Sequence, residues 1–310
     1  MGKFIRITAM LTAILLIGCF IVFSFANGQT DHFYLRFTAP KQTSLILGSS
    51  RAAQGIQPDL LAAEMGELLI FNYAFTLLHS PYGETYRKSI FKKLKPSKEK
   101  GIFILDVSPF NLAVNTALAN DPSKFPETKN AVCNPLLTNI NPNPFYLINH
   151  YDKPFFTLLA KTSSNLLLHD DGWLEVSVPM DSASFHSRLQ KRLDHYRPLV
   201  KSMVMSAERM NELDLLIQLL KPNGQIFIVR IPTHESILQL EQELSPDFNL
   251  LMIDLARKHD VAYFDYSSLS GQFTYTDGNH LWKESGADFT RLLAEDILFE
   301  RREEGASPNR

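Results

Sequence analysis

Short apolar runs alternate with amphipathic stretches along most of the chain after residue 42. The apolar runs are compatible with buried strands of a parallel sheet, at 45–47, 68–71, 102–105, 226–229 and 261–264. Helices are predicted near 58–65, 82–95, 198–220, 235–258 and 283–299. Alternation of strands and helices favours right-handed crossovers, so the pattern predicts an α/β fold with a parallel sheet covered on both faces.

The helical pattern is clearest over 198–220. Its apolar positions are Leu199, Met203, Met210, Leu213, Ile217 and Leu220. Pro222 and Gly224 follow the last of them, and both residue types are frequent just beyond the end of a helix. A single helix is therefore predicted across this stretch.

The segment between the third and fourth predicted strands is much longer than a crossover needs. It contains the Asn-Pro pairs that begin at Asn134 and Asn141, which favour turns. We predict that 112–196 is an insertion, a lid or subdomain over the carboxyl edge of the sheet, within one domain that spans 28–310.

Residues 1–27 are predicted to anchor the chain in a membrane. Lys3 and Arg6 precede an uncharged run over 7–26. At about 1.5 Å per residue, such a run can cross a hydrocarbon core of roughly 30 Å. Positive charges before the run place the N-terminus in the cytoplasm and the domain on the extracytoplasmic (periplasmic) side of the cell membrane.

Two other fates of this segment remain open. Small residues at Ser24 and Ala26 permit cleavage by a signal peptidase after Ala26. The stretch that ends at Cys19 is similar to a lipobox, which would attach lipid to that cysteine. An uncleaved anchor is favoured, because the apolar run is longer than the apolar region of a typical signal peptide.

Composition excludes several classes of function. The net charge is −2, with 31 basic and 33 acidic residues, whereas a nucleic-acid binder usually has a strongly basic face. Only two cysteines occur, so neither a disulfide framework nor a cysteine metal cluster is predicted. The sequence contains no phosphate-binding Gly-rich loop and no dinucleotide fingerprint, and no cofactor is therefore predicted.

The candidate chemistry lies at two distant places. The first predicted strand ends at Gly48, and Ser49 and Ser50 follow it at the carboxyl edge of the sheet, where ligands bind in this class of fold. Asp277 and His280 are three residues apart in the loop before the last predicted helix. A serine hydroxyl becomes a good nucleophile when a histidine takes its proton and a carboxylate orients that histidine.

Both places resemble motifs of the SGNH (GDSL-like) hydrolases. Gly48-Ser49-Ser50 resembles their first block, with Ser49 in place of the usual aspartate, and Asp277-Gly-Asn-His280 resembles their last block. The resemblance implies a three-layer α/β/α flavodoxin-like fold. It also implies that Ser50 is the nucleophile, His280 the general base and Asp277 the residue that orients His280.

The middle blocks of the family differ here. The strand end at 71–75 lacks the usual glycine and offers Asn72, and Ser108 takes the place of the usual asparagine of the third block. The resemblance implies an oxyanion hole formed at Ser50, Asn72 and Ser108. Asn111 and Arg230 are predicted to bind substrate at the same edge; for Arg230 a structural ion pair is an equal alternative.

The resemblance implies a serine esterase or O-acyltransferase that acts on an acyl ester. Membrane-anchored members of the family often accompany membrane-bound O-acyltransferases and modify exported polysaccharides or teichoic acids, so the implied partners are an acyl-ester small molecule or polysaccharide and such an acyltransferase. The alternative is a catalytically silent module that is tethered to the membrane and binds a glycan or the acyltransferase.

Overall fold

Five parallel strands form the central sheet of the protein, whose computed structural model describes residues 1–66, 69–118, 121–160 and 164–306. The strands are β1 (Leu45–Leu47), β2 (Phe71–Asn72), β3 (Gly101–Asp106), β4 (Ala113–Asn115), β5 (Leu166–Leu168), β6 (Leu174–Val176), β7 (Met203–Met205), β8 (Gly224–Arg230) and β9 (Ala262–Asp265). The central sheet has the order β2-β1-β3-β8-β9. The pairs β4–β7 and β5–β6 are separate antiparallel ribbons.

Helices cover the sheet on both faces. They are α1 (Gly2–Phe23), α2 (Leu35–Thr38), α3 (Ser50–Gly55), α4 (Pro58–Met65), α5 (Glu84–Lys93), α6 (Pro109–Leu112), α7 (Pro144–His150), α8 (Ser182–Ser202), α9 (Ala207–Leu220), α10 (Glu235–Leu244), α11 (Phe248–His259) and α12 (Lys283–Ala306). Short 3₁₀ helices occur at Thr116–Leu118, Pro122–Lys124, Pro126–Lys129, Phe155–Leu159, Lys221–Asn223 and Ser267–Gln272.

Alternation along the strands divides the core into two layers. Leu45 and Leu47 point to one face and pack with apolar residues of α5, α9 and α11, whereas Ile46 points to the other face and packs with those of α3, α4 and α12. Both layers are fully buried around these strand residues, since Leu45, Ile46 and Leu47 are 0% exposed. The predicted α/β class with a central parallel sheet is confirmed.

Two stretches that were each predicted as a single helix are interrupted in the structure. The stretch 198–220 is divided, because Met203–Met205 pairs with β4 and Ser206 then caps α9 by accepting a hydrogen bond from the Arg209 amide. The stretch 235–258 is divided between Leu244 and Phe248, where Ser245 precedes a proline and is therefore disfavoured in a helix. The predicted strand over 68–71 falls partly on residue 68, outside the described residues; residues 69–70 are not in a strand, and β2 begins at Phe71.

The β5–β6 ribbon is fixed against the end of β2. Gly172, in its turn, has φ +87°, and a Cβ there would lie 2.2 Å from the Asn72 carbonyl oxygen, so only glycine fits this approach. The buried Arg36 donates to the carbonyl oxygens of both Asn72 and Gly172. Part of the segment 112–196 is therefore held directly on the central sheet.

Helix α1 has a mean hydropathy of 2.4 over an 18-residue stretch, and it is long and apolar enough to cross a membrane. Among its residues only Phe23, at its C-terminal end, is buried. Over most of its length α1 therefore does not pack against the rest of the described protein. Its orientation in a membrane stays a prediction.

Asp106, at the end of β3, is a buried carboxyl group that should make stability depend on pH. Its Oδ2 accepts hydrogen bonds from the amide and hydroxyl of Ser49, and Oδ1 has no hydrogen-bond partner among the described residues. Burial raises the pKa of Asp106 to about 6, although the charge of Arg51 opposes the shift.

An acid with a raised pKa binds its proton more tightly in the folded state, so its contribution to stability is present below pH 4 and is lost as pH rises through about 6. We expect Asp106→Asn to remove this loss, which corresponds to roughly 2–3 kcal/mol. Urea unfolding at pH 4, 5.5 and 7.5 should show a flatter profile for the variant than for the wild type. The exposed Asp254→Asn is the matched control, and equal slopes in all three proteins would contradict the assignment.

Candidate active site

Ser50, His280 and Asp277 form a continuous hydrogen-bonded series. The Oγ of Ser50 lies 2.8 Å from His280 Nε2, across 230 positions of sequence. The Nδ1 of His280 lies 3.0 Å from both carboxylate oxygens of Asp277. The distance between Ser50 and His280 falls within the hydrogen-bond range expected of a nucleophile and its base.

The turn after β1 presents Ser50 to this series. Gly48 has φ +138°, and a Cβ there would lie 2.6 Å from the Asp106 side chain, so the turn requires glycine. Ser49 follows in extended conformation, and Ser50 begins α3. The hydroxyl of Ser49 points instead to Asp106. The two adjacent serines therefore have different surroundings, and only Ser50 contacts the histidine.

A tight loop brings Asp277 and His280 together. Tyr275 and Leu281 pair as a β-bridge, and the Thr276 amide donates to the His280 carbonyl oxygen at 2.9 Å. Inside the loop, Asp277 Oδ1 accepts hydrogen bonds from the amides of Asn279 and His280. These contacts hold the carboxylate of Asp277 beside the imidazole of His280.

The surroundings of the imidazole select its tautomer. An ionised carboxylate only accepts hydrogen bonds, so the Nδ1 that faces Asp277 carries the proton and Nε2 is left to accept from the Ser50 hydroxyl. Burial alone would raise the pKa of Asp277. The charges and hydrogen bonds of His280 and Arg192 outweigh this effect and hold the pKa of Asp277 well below its usual range.

Arg192 is a site residue that the sequence did not reveal. It comes from α8 and donates from Nε to Asp277 Oδ2 at 3.1 Å, with a second bond from Nη2 to the same oxygen. Arg192 and most of the helix that carries it lie inside the segment 112–196. The only signal in the sequence is that Arg192 follows Arg188 by one helical turn, which says nothing about the partner.

Asn279 also contacts the imidazole of His280. Its Nδ2 lies 3.1 Å from His280 Nε2, and its Oδ1 accepts from Nε and Nη2 of Arg51 at 3.0 and 2.8 Å. Because the guanidinium can only donate, Arg51 determines which end of the Asn279 amide faces His280. Arg51 in turn forms a buried ion pair with Glu241 at 2.7 Å.

Arg230 belongs to this buried network and forms the kind of ion pair that the sequence left as the alternative to substrate binding. Its guanidinium pairs with Glu241 at 2.9 Å, donates to Asn249 and lies over the ring of Phe248. Only 4% of Arg230 is exposed. Both Nη atoms are used by protein groups, and Nε is buried without a hydrogen-bond partner among the described residues. The geometry therefore favours the structural role of Arg230 over substrate binding.

The side chain of Asn72 is likewise committed to the fold. Its Nδ2 donates to the carbonyl oxygens of Ala52 and Ile56, and its Oδ1 accepts from the Ala74 amide. An amide nitrogen has two hydrogens, and both are engaged. Asn72 therefore joins α3 to β2 with both hydrogens of its side-chain amide engaged, and the structure gives no support to its predicted role in an oxyanion hole.

Ser108 and Asn111 bind each other. The Ser108 hydroxyl hydrogen-bonds the Asn111 side chain and caps α6 by accepting from the Asn111 amide, while Asn111 Nδ2 donates to the Asp106 carbonyl oxygen. Both side chains are 1% exposed or less. The structure therefore gives no support to an oxyanion role for Ser108 or a substrate contact for Asn111.

Backbone donors remain at the start of α3. The first intrahelical bond runs from the Ala53 amide to the Ser49 carbonyl oxygen, so the amides of Ser50, Arg51 and Ala52 precede it. Amides in the first turn of a helix have no intrahelical acceptor. The predicted contribution of Ser50 to an oxyanion hole is therefore compatible with the local backbone.

A cleft with a volume of about 540 Å³ opens beside Ser50 and His280. Its apolar walls are formed by Leu77, Leu78, Pro81, Phe110, Ala113, Val114, Leu118, Pro126, Tyr196, Leu199 and Met203. Arg192, His195 and Arg209 line the cleft as well, and with His280 they are the basic residues of its lining. Several wall residues belong to the segment 112–196, so this segment helps to shape the cleft.

No protein-family model matches the chain, and no curated protein matches it. Among the described residues, no group of three or more His, Cys, Asp or Glu could hold a metal ion. The chemistry of the site must therefore be inferred from its own geometry.

Proposed function

We propose that the protein is a serine-dependent esterase or O-acyltransferase of the SGNH type. The observation that carries the proposal is the hydrogen-bonded series Ser50–His280–Asp277 at the mouth of an apolar cleft. The order of the central strands supports the SGNH fold, because counted along the chain it is 2-1-3-4-5, the flavodoxin-like order.

The proposed reaction proceeds through an acyl-enzyme. Ser50 Oγ attacks the ester carbonyl carbon while its proton passes to His280 Nε2, and Asp277 stabilises the resulting imidazolium. Amides at the start of α3 donate to the oxyanion of the tetrahedral intermediate. Collapse of the intermediate expels the alcohol, which takes the proton from His280. Water or a sugar hydroxyl then accepts the acyl group by the same steps in reverse.

The character of the cleft supports a binding site for the acyl group there. Its walls are predominantly apolar, as expected for a hydrocarbon chain, and its volume lies within the range of small-molecule sites. We infer that the site accepts acyl chains longer than acetyl. The alcohol side of the ester, an exported polysaccharide or a smaller molecule, would leave towards solvent.

Hydrolysis of a nitrophenyl ester series tests this function. The full chain in detergent should hydrolyse the acetyl, butyryl, hexanoyl and octanoyl esters, with kcat/KM rising by up to about fourfold per methylene until the cleft is filled. Met203→Trp, which narrows the cleft, should move the optimum to shorter chains. Val204→Trp is the matched control, because Val204 is 42% exposed and is not part of the cleft lining.

A fluorophosphonate probe should also form an adduct at Ser50, which mass spectrometry of the digested protein can locate. Absence of both the adduct and ester hydrolysis would contradict the enzyme proposal. Hydrolysis of the acetyl ester alone would retain the enzyme but reject an acyl site in the cleft.

One observation favours the alternative of a silent module. The side chains of Asn72 and Ser108, which were predicted at the oxyanion hole, are engaged by protein groups and do not offer a donor to an oxyanion. In this alternative the chain binds a glycan or a membrane-bound O-acyltransferase without chemistry at Ser50. Glycan binding that is retained in Ser50→Ala, together with no probe adduct in the wild type, would favour it.

We further propose that α1 holds the domain at the extracytoplasmic face of the cell membrane, where an exported polysaccharide would be accessible. The length and hydropathy of α1 support this location. Cleavage after Ala26 or lipid attachment at Cys19 remain alternatives, and the N-terminal residue of the mature protein distinguishes them.

A further inference from the structure

Exposed apolar side chains are concentrated in two neighbouring segments near the end of α1. They are Ile140, Phe145, Ile148, Phe155, Phe156 and Leu159, and we call them the interfacial patch. Their exposed fractions range from 40% for Phe155 to 70% for Phe156. Phe145 and Ile148 are three residues apart on α7 and therefore lie on one face of that helix.

Several contacts fasten this region to the end of α1. The rings of Phe23 and Phe155 meet edge to face, with centroids 4.9 Å apart. Asn141 Nδ2 donates to the carbonyl oxygen of Ala26 at 3.1 Å, and Lys153 Nζ donates to that of Thr30 at 3.3 Å. The patch is thus held at the level at which the chain leaves the apolar helix.

The distribution of phenylalanines sets this region apart from the rest of the surface. Among the described residues, the strongly exposed phenylalanines are Phe4 and Phe20 of α1, Phe25 just after it, three members of the patch, and Phe299. All except Phe299 therefore belong to α1 or to the region around its C-terminal end. Contiguous exposed apolar surface usually marks a site of contact with a protein or a membrane.

We propose that the interfacial patch lies in the headgroup region of the bilayer that α1 crosses, so that the domain rests on the membrane surface. The patch is continuous with the end of a helix that has the length and hydropathy of a membrane span. Apolar groups at that level meet the boundary between headgroups and acyl chains, and aromatic rings are favoured there. The proposal requires α1 to cross a membrane but does not depend on any chemistry at Ser50.

Contact at a second place would fix the orientation of the domain. A single helix would hold the domain at one point of the membrane, whereas an embedded patch also holds one side of the domain against the lipid. The cleft beside Ser50 would then keep a constant height and direction relative to the membrane. A substrate that approaches along the membrane surface would meet the site in one orientation.

Site-directed spin labelling of the full chain tests the contact. The protein, with serine in place of Cys19 and Cys133, is reconstituted into nanodiscs of phosphatidylethanolamine and phosphatidylglycerol. Labels are attached through Ile148→Cys or Phe156→Cys, and through Leu250→Cys as the control. Ile148 and Leu250 are matched, because they are 65% and 61% exposed, and the control lies on α11, which contacts the edge strand β9 and is not part of the interfacial patch. All labelled proteins must keep the melting temperature of the unlabelled chain.

We expect the ratio of oxygen collisions to collisions with a water-soluble nickel chelate to be several-fold higher at 148 and 156 than at 250, because oxygen concentrates in lipid. Equal ratios at the three positions would overturn the proposal, since the patch would then face water. Low collision rates with both reagents at 148 and 156 would also overturn it, in favour of a covering protein or a second copy of the chain. Two label positions ensure that one poorly folded variant does not decide the result.

Discussion

Ser50→Ala and His280→Ala should each lower kcat/KM for the best ester by at least about 10⁴-fold, to the level that binding and backbone donors alone support. In the proposed reaction Ser50 supplies the attacking oxygen, and His280, whose Nε2 lies 2.8 Å from Ser50 Oγ, takes its proton. Since both act in the same step, the double variant should be little slower than either single variant. For Ser50→Ala, the circular dichroism spectrum and the melting temperature should stay near those of the wild type, because this change removes only one hydroxyl.

Ser49→Ala is the control for the nucleophile. The Ser49 hydroxyl hydrogen-bonds Asp106, whereas His280 hydrogen-bonds Ser50. Most of the activity should therefore remain in Ser49→Ala. Loss of some stability is acceptable, because the variant removes a partner of a buried carboxyl group. Full activity in Ser50→Ala, or complete loss in Ser49→Ala with a folded protein, would reject Ser50 as the nucleophile.

Asp277→Asn should have the second largest effect, a loss of about 10²- to 10⁴-fold in kcat that stays smaller than the loss in Ser50→Ala. An asparagine amide placed at Nδ1 donates a hydrogen bond, which favours the tautomer with the proton on Nε2. That tautomer cannot accept the proton of Ser50. The effect should therefore appear in kcat, while KM for the same ester changes little.

Arg192→Gln should lower kcat by a smaller factor, roughly tenfold, because it removes one anchor of the Asp277 carboxylate and leaves the loop amides in place. Arg192→Lys should restore part of the loss, since a charge near the carboxylate is kept. Lys191→Gln removes the same charge from an exposed neighbouring position on α8 and should behave as wild type. Equal effects of the changes at 191 and 192 would indicate general electrostatics and not a specific contact.

The oxyanion side of the site shows how far a family pattern can be carried over. Asn72 and Ser108 occupy strand ends at the carboxyl edge, which is the correct region of the fold. The side chain of Asn72 nevertheless hydrogen-bonds the backbone of α3, and that of Ser108 hydrogen-bonds Asn111. The topology determines that a residue lies at this edge of the sheet. The direction in which its side chain donates depends on which unsatisfied polar group lies beside it.

The sequence by itself determined the alternation of strands and helices and the two ends of the candidate site. A buried apolar strand that stops at Gly48 leaves Ser50 at the carboxyl edge, and the Asp-x-x-His spacing places Asp277 within reach of His280. These features are local, because strand burial, glycine turns and short loop spacings depend on neighbouring residues. The common edge of a parallel sheet then brings the distant ends together.

Only the tertiary structure decided which side chains surround the triad. Arg192 reaches Asp277 across 85 positions, and Arg51 reaches Asn279 across 228. The tertiary structure also divides the stretch 198–220 into two helices, because Met203–Met205 between them forms an antiparallel pair with β4. A buried charge or an unpaired strand edge takes whichever partner packing brings near, and that choice is made over distances at which sequence spacing carries no information.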